Sequence, residues 1–229
     1  MEDKNLEMLF NLNEKAKNIL QSLSSLSERD IRKVYFNMFS SQVIINYLNY
    51  KINVRFSETN RDEFLDFFKS DLNQVHNYTY NITQFIGENI LSTALFQTEL
   101  VFRFYYSKFT NESPSKERNL FKIVSFLYDD IQNNWKKDEC NLIVLLWTLR
   151  NTIHTGGLYF ENINGRKLNY KNQEYIFEYG KNPKFLIEQE GIIIELISDL
   201  FDALNSLFKS EKIQKLEFIE HPVYSALEI

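Results

Sequence analysis

Apolar residues recur every three or four positions along most of the chain, which is the spacing of one buried face of an α-helix. They predict a first helix over 5–23, a second over about 28–50 and a third that begins near Asn60. Ser27 followed by Asp30 resembles the N-cap signature of the second helix. The N-terminal third is therefore predicted to be helical.

The middle of the chain carries a longer apolar pattern. Between Ile82 and Phe109 the apolar residues nearly surround the predicted helix, so we expect this helix to be central and buried. Asn111 to Pro114 is expected to end it, and two more helices are predicted over about 115–133 and 138–155. Gly156-Gly157 follows directly, where a left-handed C-terminal cap is needed.

The period then changes to that of β-structure. Asn164-Gly165 is a strong signal for a hairpin turn. Segments with strand-like composition surround it, at 159–163, 167–170 and 175–179. Together they predict a small hairpin or meander over 158–180.

A last long helix is predicted from Pro183 to about Lys209. The expected fold class is therefore mainly α, a helical bundle with a small β-hairpin inserted before the last long helix. We expect residues 1–80 to form N-terminal helices of the same bundle. Residues 81–210 are predicted to form a helical core that includes the hairpin, and 211–229 a C-terminal tail.

Composition narrows the class of protein. The chain has 229 residues with 6 Gly and 3 Pro, which are too few for a loop-rich sandwich or a disordered chain. A net charge of −5 excludes a global basic field for nucleic acid, and the single Cys140 excludes a disulfide framework. Neither an export signal nor an uncharged apolar segment long enough to span a membrane is recognisable, so we expect a cytoplasmic protein.

One short motif carries candidate chemistry, and it consists of Arg150, Asn151 and His154. Arg150 and His154 are four residues apart, so they share a helix face, in the last turn where the helix dipole favours a cation. A guanidinium binds a phosphate through two parallel hydrogen bonds, and an imidazole exchanges a proton near neutral pH. The pair can support metal-free cleavage of RNA, or it can be structural and bridge to a carboxylate such as Glu99.

Arg150-Asn151 followed by His154, at the end of the penultimate long helix of a helical domain, resembles the HEPN superfamily. The resemblance implies a metal-independent endoribonuclease without a cofactor, a type common among toxins and in antiviral defence. It implies RNA as the substrate, a homodimer that forms the site, and regulation by a protein partner. It also implies that Arg150 contacts the phosphate, that His154 is the general acid–base, and that Asn151 orients the substrate or stiffens the site.

Two features differ from the family pattern. The usual spacing is longer than the three residues that separate Arg150 from His154. Gly156 stands where some toxins of the family carry a tyrosine, so an antitoxin that modifies this tyrosine is not expected. Two alternatives therefore stay open: a non-catalytic RNA- or protein-binding module of the same fold, and a helical dimerisation protein in which the motif only caps a helix.

The predicted hairpin adds candidate substrate-binding residues. The segment from Arg150 to Lys184 has a net charge of +3 in an acidic chain, with six basic and three acidic residues. Such a segment can flank a phosphate-binding cleft, and its tyrosines can stack on unpaired bases. The candidates are Tyr159, Arg166, Lys167 and Tyr170. The alternative is a solvated edge hairpin whose lysines prevent aggregation.

Glu99 and Arg103 form a further candidate pair, four residues apart on the long central helix. They are expected either to support the motif helix or to form an ordinary salt bridge.

Overall fold

A computed structural model describes residues 4–59, 62–63, 66, 72–132, 137–189, 191–216 and 218–225. The fold is mainly α, with a two-stranded antiparallel hairpin before the last long helix, as the sequence predicts. None of the helices in these ranges is long and apolar enough to cross a membrane.

The first three helices that the structure describes are α1 (Lys4–Ser22), α2 (Ile31–Thr59) and α3 (Leu72–Thr110). The helix predicted to begin near Asn60 lies largely outside the described residues. Between Ile86 and Tyr105 one face of α3 is buried as expected, whereas Phe85 and Phe96 are 66% and 62% exposed. The helix ends before Asn111, which has a left-handed φ of 57°. The pattern of apolar residues therefore detects the long helices, but α2 extends past the predicted end near Tyr50 and α3 begins before the predicted start at Ile82.

Asp30, and not Ser27, caps α2. Its Oδ1 accepts a hydrogen bond from the Arg32 backbone N–H at 3.0 Å, and both carboxylate oxygens accept from the Arg32 guanidinium at 2.7 Å. Both side chains are almost fully buried. Asp30 satisfies a free N–H of the first helical turn and a buried cation at once, so it is the better cap.

The next helix, α4 (Leu120–Ser125), continues without a break into a π-helical turn over Phe126–Ile131. The motif helix α5 (Lys137–His154) follows. It packs against α3, against the first strand and against the last long helix. These contacts hold the C-terminal end of α5 next to the hairpin.

The hairpin pairs β1 (Arg166–Tyr170) with β2 (Gln173–Phe177). Its turn is Lys171-Asn172, with φ of 47° and 62°, and not the predicted Asn164-Gly165. Asn164-Gly165 instead completes a turn before β1, in which the Gly165 N–H donates to the Asn162 carbonyl at 2.9 Å. Gly165 is required there because a Cβ would lie 2.7 Å from the Phe177 carbonyl oxygen.

The single helix predicted from Pro183 to Lys209 is wrong, because the structure divides it into α6 (Lys184–Glu188) and α7 (Ile192–Phe208). Gly191 precedes α7 with a left-handed φ of 81°. This left-handed φ favours glycine, and a Cβ at this position would also displace the flexible end of the Met8 side chain of α1, which lies 2.6 Å away. Two short helices, α8 (Glu211–Gln214) and α9 (Pro222–Ser225), complete the chain.

One hydrophobic cluster extends from α1 to the C-terminal segment. Its centre is aromatic: the Phe201 ring of α7 meets the rings of Phe36 and Phe39 from α2, with centroids 5.2 and 4.5 Å apart. The C-terminal segment returns to the start of α2, where the Ile31 N–H donates to the Ile219 carbonyl at 2.8 Å. The N-terminal helices, the motif helix and the C-terminal segment therefore share one core.

Candidate functional site

The end of α5 is fixed by two glycines. The Gly156 N–H donates to the Ile153 carbonyl and the Gly157 N–H to the Thr152 carbonyl, both at 3.0 Å. Their φ angles are 74° and 82°. This hydrogen-bond pattern is a Schellman cap, and it confirms the predicted left-handed termination. It makes His154 the last helical residue and holds its position relative to the rest of α5.

Arg150 and His154 lie on the outer part of this last turn. His154 is exposed and Arg150 is partly exposed. Neither side chain forms a hydrogen bond or an ion pair with any residue that the structure describes. Glu99, considered as a partner from the sequence, instead accepts from Arg103 at 2.9 and 2.8 Å. Both groups of the motif are therefore available for an external ligand.

Asn151 has a different environment from its two neighbours in the motif. Its Nδ2 donates to Oε1 of Glu161 at 2.6 Å. The other Glu161 oxygen lies 3.6 Å from Nη1 of Arg166, and this Nη1 donates to Oγ1 of Thr148 at 3.2 Å. These contacts join α5 to the segment that leads into β1, which stiffens the end of the motif helix.

A cleft of about 370 Å³ opens beside this polar cluster, between α4, α5 and the start of β1. Its volume falls at the lower end of the range of small-ligand sites, about 300–1,000 Å³. The lining combines apolar, aromatic and charged side chains: Arg118, Asn119, Leu120, Phe121, Val124, Ile143, Val144, Trp147, Thr148, Asn151, Glu161 and Arg166.

The predicted substrate-binding tyrosines lie inside the protein. Tyr159 is 1% exposed and its ring packs against Phe177, while Tyr170 is 5% exposed and its hydroxyl donates to Asp199 at 2.9 Å. Burial and, to a lesser extent, nearby carboxylates raise the pKa of both hydroxyls above the ordinary value. The expectation that these rings stack on bases is corrected, because rings buried this far have no free face.

The basic residues of the hairpin segment are mostly paired. Lys167 lies 3.3 Å from Glu174, Lys171 lies 2.6 Å from Asp199, and Lys181 pairs with Glu178. The lysines of these pairs are exposed, so each pair contributes little to stability. Of the two basic residues predicted to bind substrate, Arg166 lines the cleft and Lys167 does not.

Arg103 and Glu99 form the salt bridge that was one of the two expectations, and Arg103 also contacts a neighbouring loop. Besides its bonds to Glu99, the Arg103 guanidinium donates to the Glu117 carbonyl at 2.5 Å. This contact fixes the loop between α3 and α4, which carries Arg118 into the cleft. The pair therefore positions this loop, and in the described part of the chain it forms no hydrogen bond or ion pair with α5.

The cleft residues that the sequence analysis did not select as candidates include Arg118, Phe121, Trp147 and Glu161. Trp147 carried a detectable signal, because it precedes Arg150 by three residues and so shares a helix face with the motif. The other three come from separate segments, and only the packing of α4 and β1 against α5 brings them together.

No group of three or more His, Cys, Asp or Glu side chains in the described ranges is arranged to hold a metal ion. Comparisons with protein-family models, with curated proteins and with solved structures give no significant match for this chain.

Proposed function

We propose that the protein is a metal-independent endoribonuclease similar to the HEPN superfamily, and that Arg150 and His154 act on the scissile phosphate. The observation that carries this proposal is the state of the two side chains. They lie one helical turn apart, outside the core, at a rigidly capped helix end, and the described residues give them no partner. The structural alternative, a bridge from the motif to a carboxylate such as Glu99, is not formed, because Glu99 accepts from Arg103 instead.

The proposed reaction needs only groups that the motif and the RNA supply. The ribose 2′-hydroxyl attacks the adjacent phosphorus, the bond to the 5′-oxygen breaks, and a 2′,3′-cyclic phosphate and a 5′-hydroxyl result. His154 exchanges the proton of the attacking or the leaving oxygen. Arg150 stabilises the charge that develops on the phosphoryl oxygens through paired hydrogen bonds. Asn151, held by Glu161, keeps this end of the helix in place.

A second copy of the chain completes the proposed site. One arginine and one histidine are few for this chemistry, and a two-fold dimer that brings two motifs together doubles the set. Exposed apolar residues recur at heptad spacing on α2, at Met38, Ile45 and Ile52, a pattern that favours self-association. Because α2 packs mainly against α1 and α3, this pattern supports a homodimer but not the placement of the two motifs within it. A role as a toxin or in antiviral defence, and control by a protein regulator, rest on the family resemblance.

Cleavage of a mixed RNA pool in EDTA tests the proposal, with the wild type, Arg150→Ala and His154→Ala compared at equal dimer concentration. Lys17→Ala is the matched control, because Lys17 is exposed on α1 and pairs only with Glu14 among the described residues. We expect the wild type and Lys17→Ala to cleave and both motif variants to lose about 100-fold or more in rate. Equal rates for all four proteins would overturn the proposal.

A non-catalytic RNA- or protein-binding module is the second candidate. The spacing between Arg150 and His154 favours it, since three residues separate them where the family pattern has more. In the same experiment, RNA retention by a verified dimer without any cleavage would assign the protein to this class.

A further inference from the structure

We propose that the cleft between α4, α5 and β1 binds a guanine base, and that this base belongs to the RNA strand next to the cleaved phosphate. The inference rests on the proposed function and extends it from RNA in general to a base preference. Four properties of the cleft support it: an apolar floor, aromatic walls, a carboxylate with free acceptor capacity, and an unpaired cation at the rim.

The floor and walls suit a flat heterocycle. Val124 and Ile143 are buried beneath the opening, and the partly buried Trp147 and the exposed Phe121 stand beside it. Phe121 is 54% exposed, although it lies on a helix that packs into the core. Base stacking on aromatic side chains is a principal source of affinity for unpaired nucleotides.

The polar wall selects among the bases. Glu161 accepts from Asn151 through one oxygen and lies near Arg166 through the other, and an ionised carboxylate offers about four lone-pair sites in total. Guanine is the base whose Watson–Crick edge presents two adjacent donors, N1–H and the 2-amino group, to such a carboxylate. Its O6 and N7 are acceptors that match the neighbouring Arg166 guanidinium. The other three bases present only one donor position on that edge.

The cation at the rim suits the phosphate of the same nucleotide. Arg118 is exposed, and its guanidinium forms no hydrogen bond or ion pair with any described residue. The loop that carries it is held by the Arg103 contact to the Glu117 carbonyl. Because the loop is already fixed, phosphate binding orders little more than the Arg118 side chain itself.

The cleft and the motif share one helix. Trp147 and Asn151 line the cleft, while Arg150 and His154 follow Trp147 by three and seven residues and so lie along the same side of α5. One turn of helix rises about 5.4 Å. A base held against Trp147 therefore leaves its sugar–phosphate within about one or two turns of the proposed reacting groups.

Fluorescence titration of Trp147 tests the base preference directly. The chain has two tryptophans, so Trp135→Phe leaves Trp147 as the only tryptophan, whose emission is recorded with excitation that avoids the tyrosines. We expect GMP to quench this emission with an affinity at least about tenfold higher than that of CMP or UMP. Phe121→Ala should weaken GMP binding by roughly tenfold, and Phe96→Ala, an equally exposed phenylalanine outside the cleft, should not.

Glu161→Gln provides a second variant, with Glu174→Gln on β2 as its control. The amide keeps one acceptor oxygen and removes the other, so GMP binding should weaken by roughly tenfold while CMP binding changes little. Equal binding of all three nucleotides, or unchanged GMP binding in both Phe121→Ala and Glu161→Gln, would overturn the inference.

The same experiments distinguish RNA from a free nucleotide as the ligand, and they test the cleft separately from the proposed ribonuclease activity. A guanine-containing hexaribonucleotide should bind His154→Ala more tightly than GMP does, and binding of GMP alone would reject RNA as the source. RNA cleavage without any preference for guanine would leave the ribonuclease proposal intact and overturn the cleft assignment. Guanine-selective GMP binding by a protein that does not cleave RNA would support the base preference of the cleft and overturn the ribonuclease proposal.

Discussion

Asn151 donates a hydrogen bond from its Nδ2 to Oε1 of Glu161 at 2.6 Å, and this bond connects the last turns of α5 to the segment that leads into β1. The two residues connect the motif to the proposed base-binding cleft. Asn151 stands between Arg150 and His154 in sequence, and Glu161 supplies the carboxylate of the proposed base-binding cleft. The same bond therefore fixes the motif helix and one wall of the cleft.

Asn151→Asp should weaken this connection, because it places a second carboxylate beside Glu161. We expect the free energy of unfolding to fall by about 1 kcal/mol, measured by urea denaturation. Asn151→Asp combined with Glu161→Gln should recover most of the loss, whereas Asn37→Asp, on an exposed face of α2, should change stability little. If the double variant is as unstable as Asn151→Asp, the two side chains do not interact in solution.

Gly156→Ala tests the cap that fixes the position of His154. The φ of 74° is unfavourable for a residue with a Cβ, although no heavy atom lies within 4 Å of the added methyl group. We expect a loss of roughly 1–2 kcal/mol in the free energy of unfolding. Gly87→Ala is the matched control, because Gly87 is helical and its Cβ would make ordinary contact with Ile193 at 3.5 Å. That variant should be neutral or more stable by up to about 1 kcal/mol.

The C-terminal segment should make stability depend on pH. Burial lowers the pKa of His221, whose Nδ1 accepts a hydrogen bond from the Val223 N–H at 3.2 Å. Below the usual imidazole pKa of about 6.5, the unfolded chain binds a proton that the folded chain does not, so the free energy of unfolding falls as pH falls. We expect the melting temperature to drop more between pH 7.5 and 5.5 for the wild type than for His221→Gln. Equal drops would show that His221 does not contribute.

The helices of the bundle could be predicted because their buried residues recur at a regular spacing along the sequence. Apolar residues at three- and four-residue spacing predict both ends of α1 and of α5, and the end of α3, to within a few residues. They do not predict the start of α3. The hairpin turn could not be placed, since Asn164-Gly165 has the right local preference but forms a different turn. Lys171-Asn172 has a weaker local signal and makes the reversal because Tyr170 and Gln173 pair across it.

The candidate site was predictable only in part, for a related reason. Arg150, Asn151 and His154 lie on one helical turn, so their proximity follows from helix geometry. The cleft depends on the loop before α4, on α5 and on the approach to β1, which are separated along the chain. The burial of Tyr159 likewise depends on its contact with Phe177, at the end of β2. Tertiary packing, which no local pattern specifies, decides both features.

The decisive measurement is cleavage of one RNA oligonucleotide and of its 2′-O-methyl counterpart, in EDTA and with the product ends identified by mass spectrometry. We expect the wild type to cleave only the unmodified strand and to leave 2′,3′-cyclic phosphate and 5′-hydroxyl ends. His154→Ala should be slower by about 100-fold or more on the same strand. Cleavage of both strands, or a rate that does not depend on His154, would contradict a reaction through the 2′-hydroxyl at this motif.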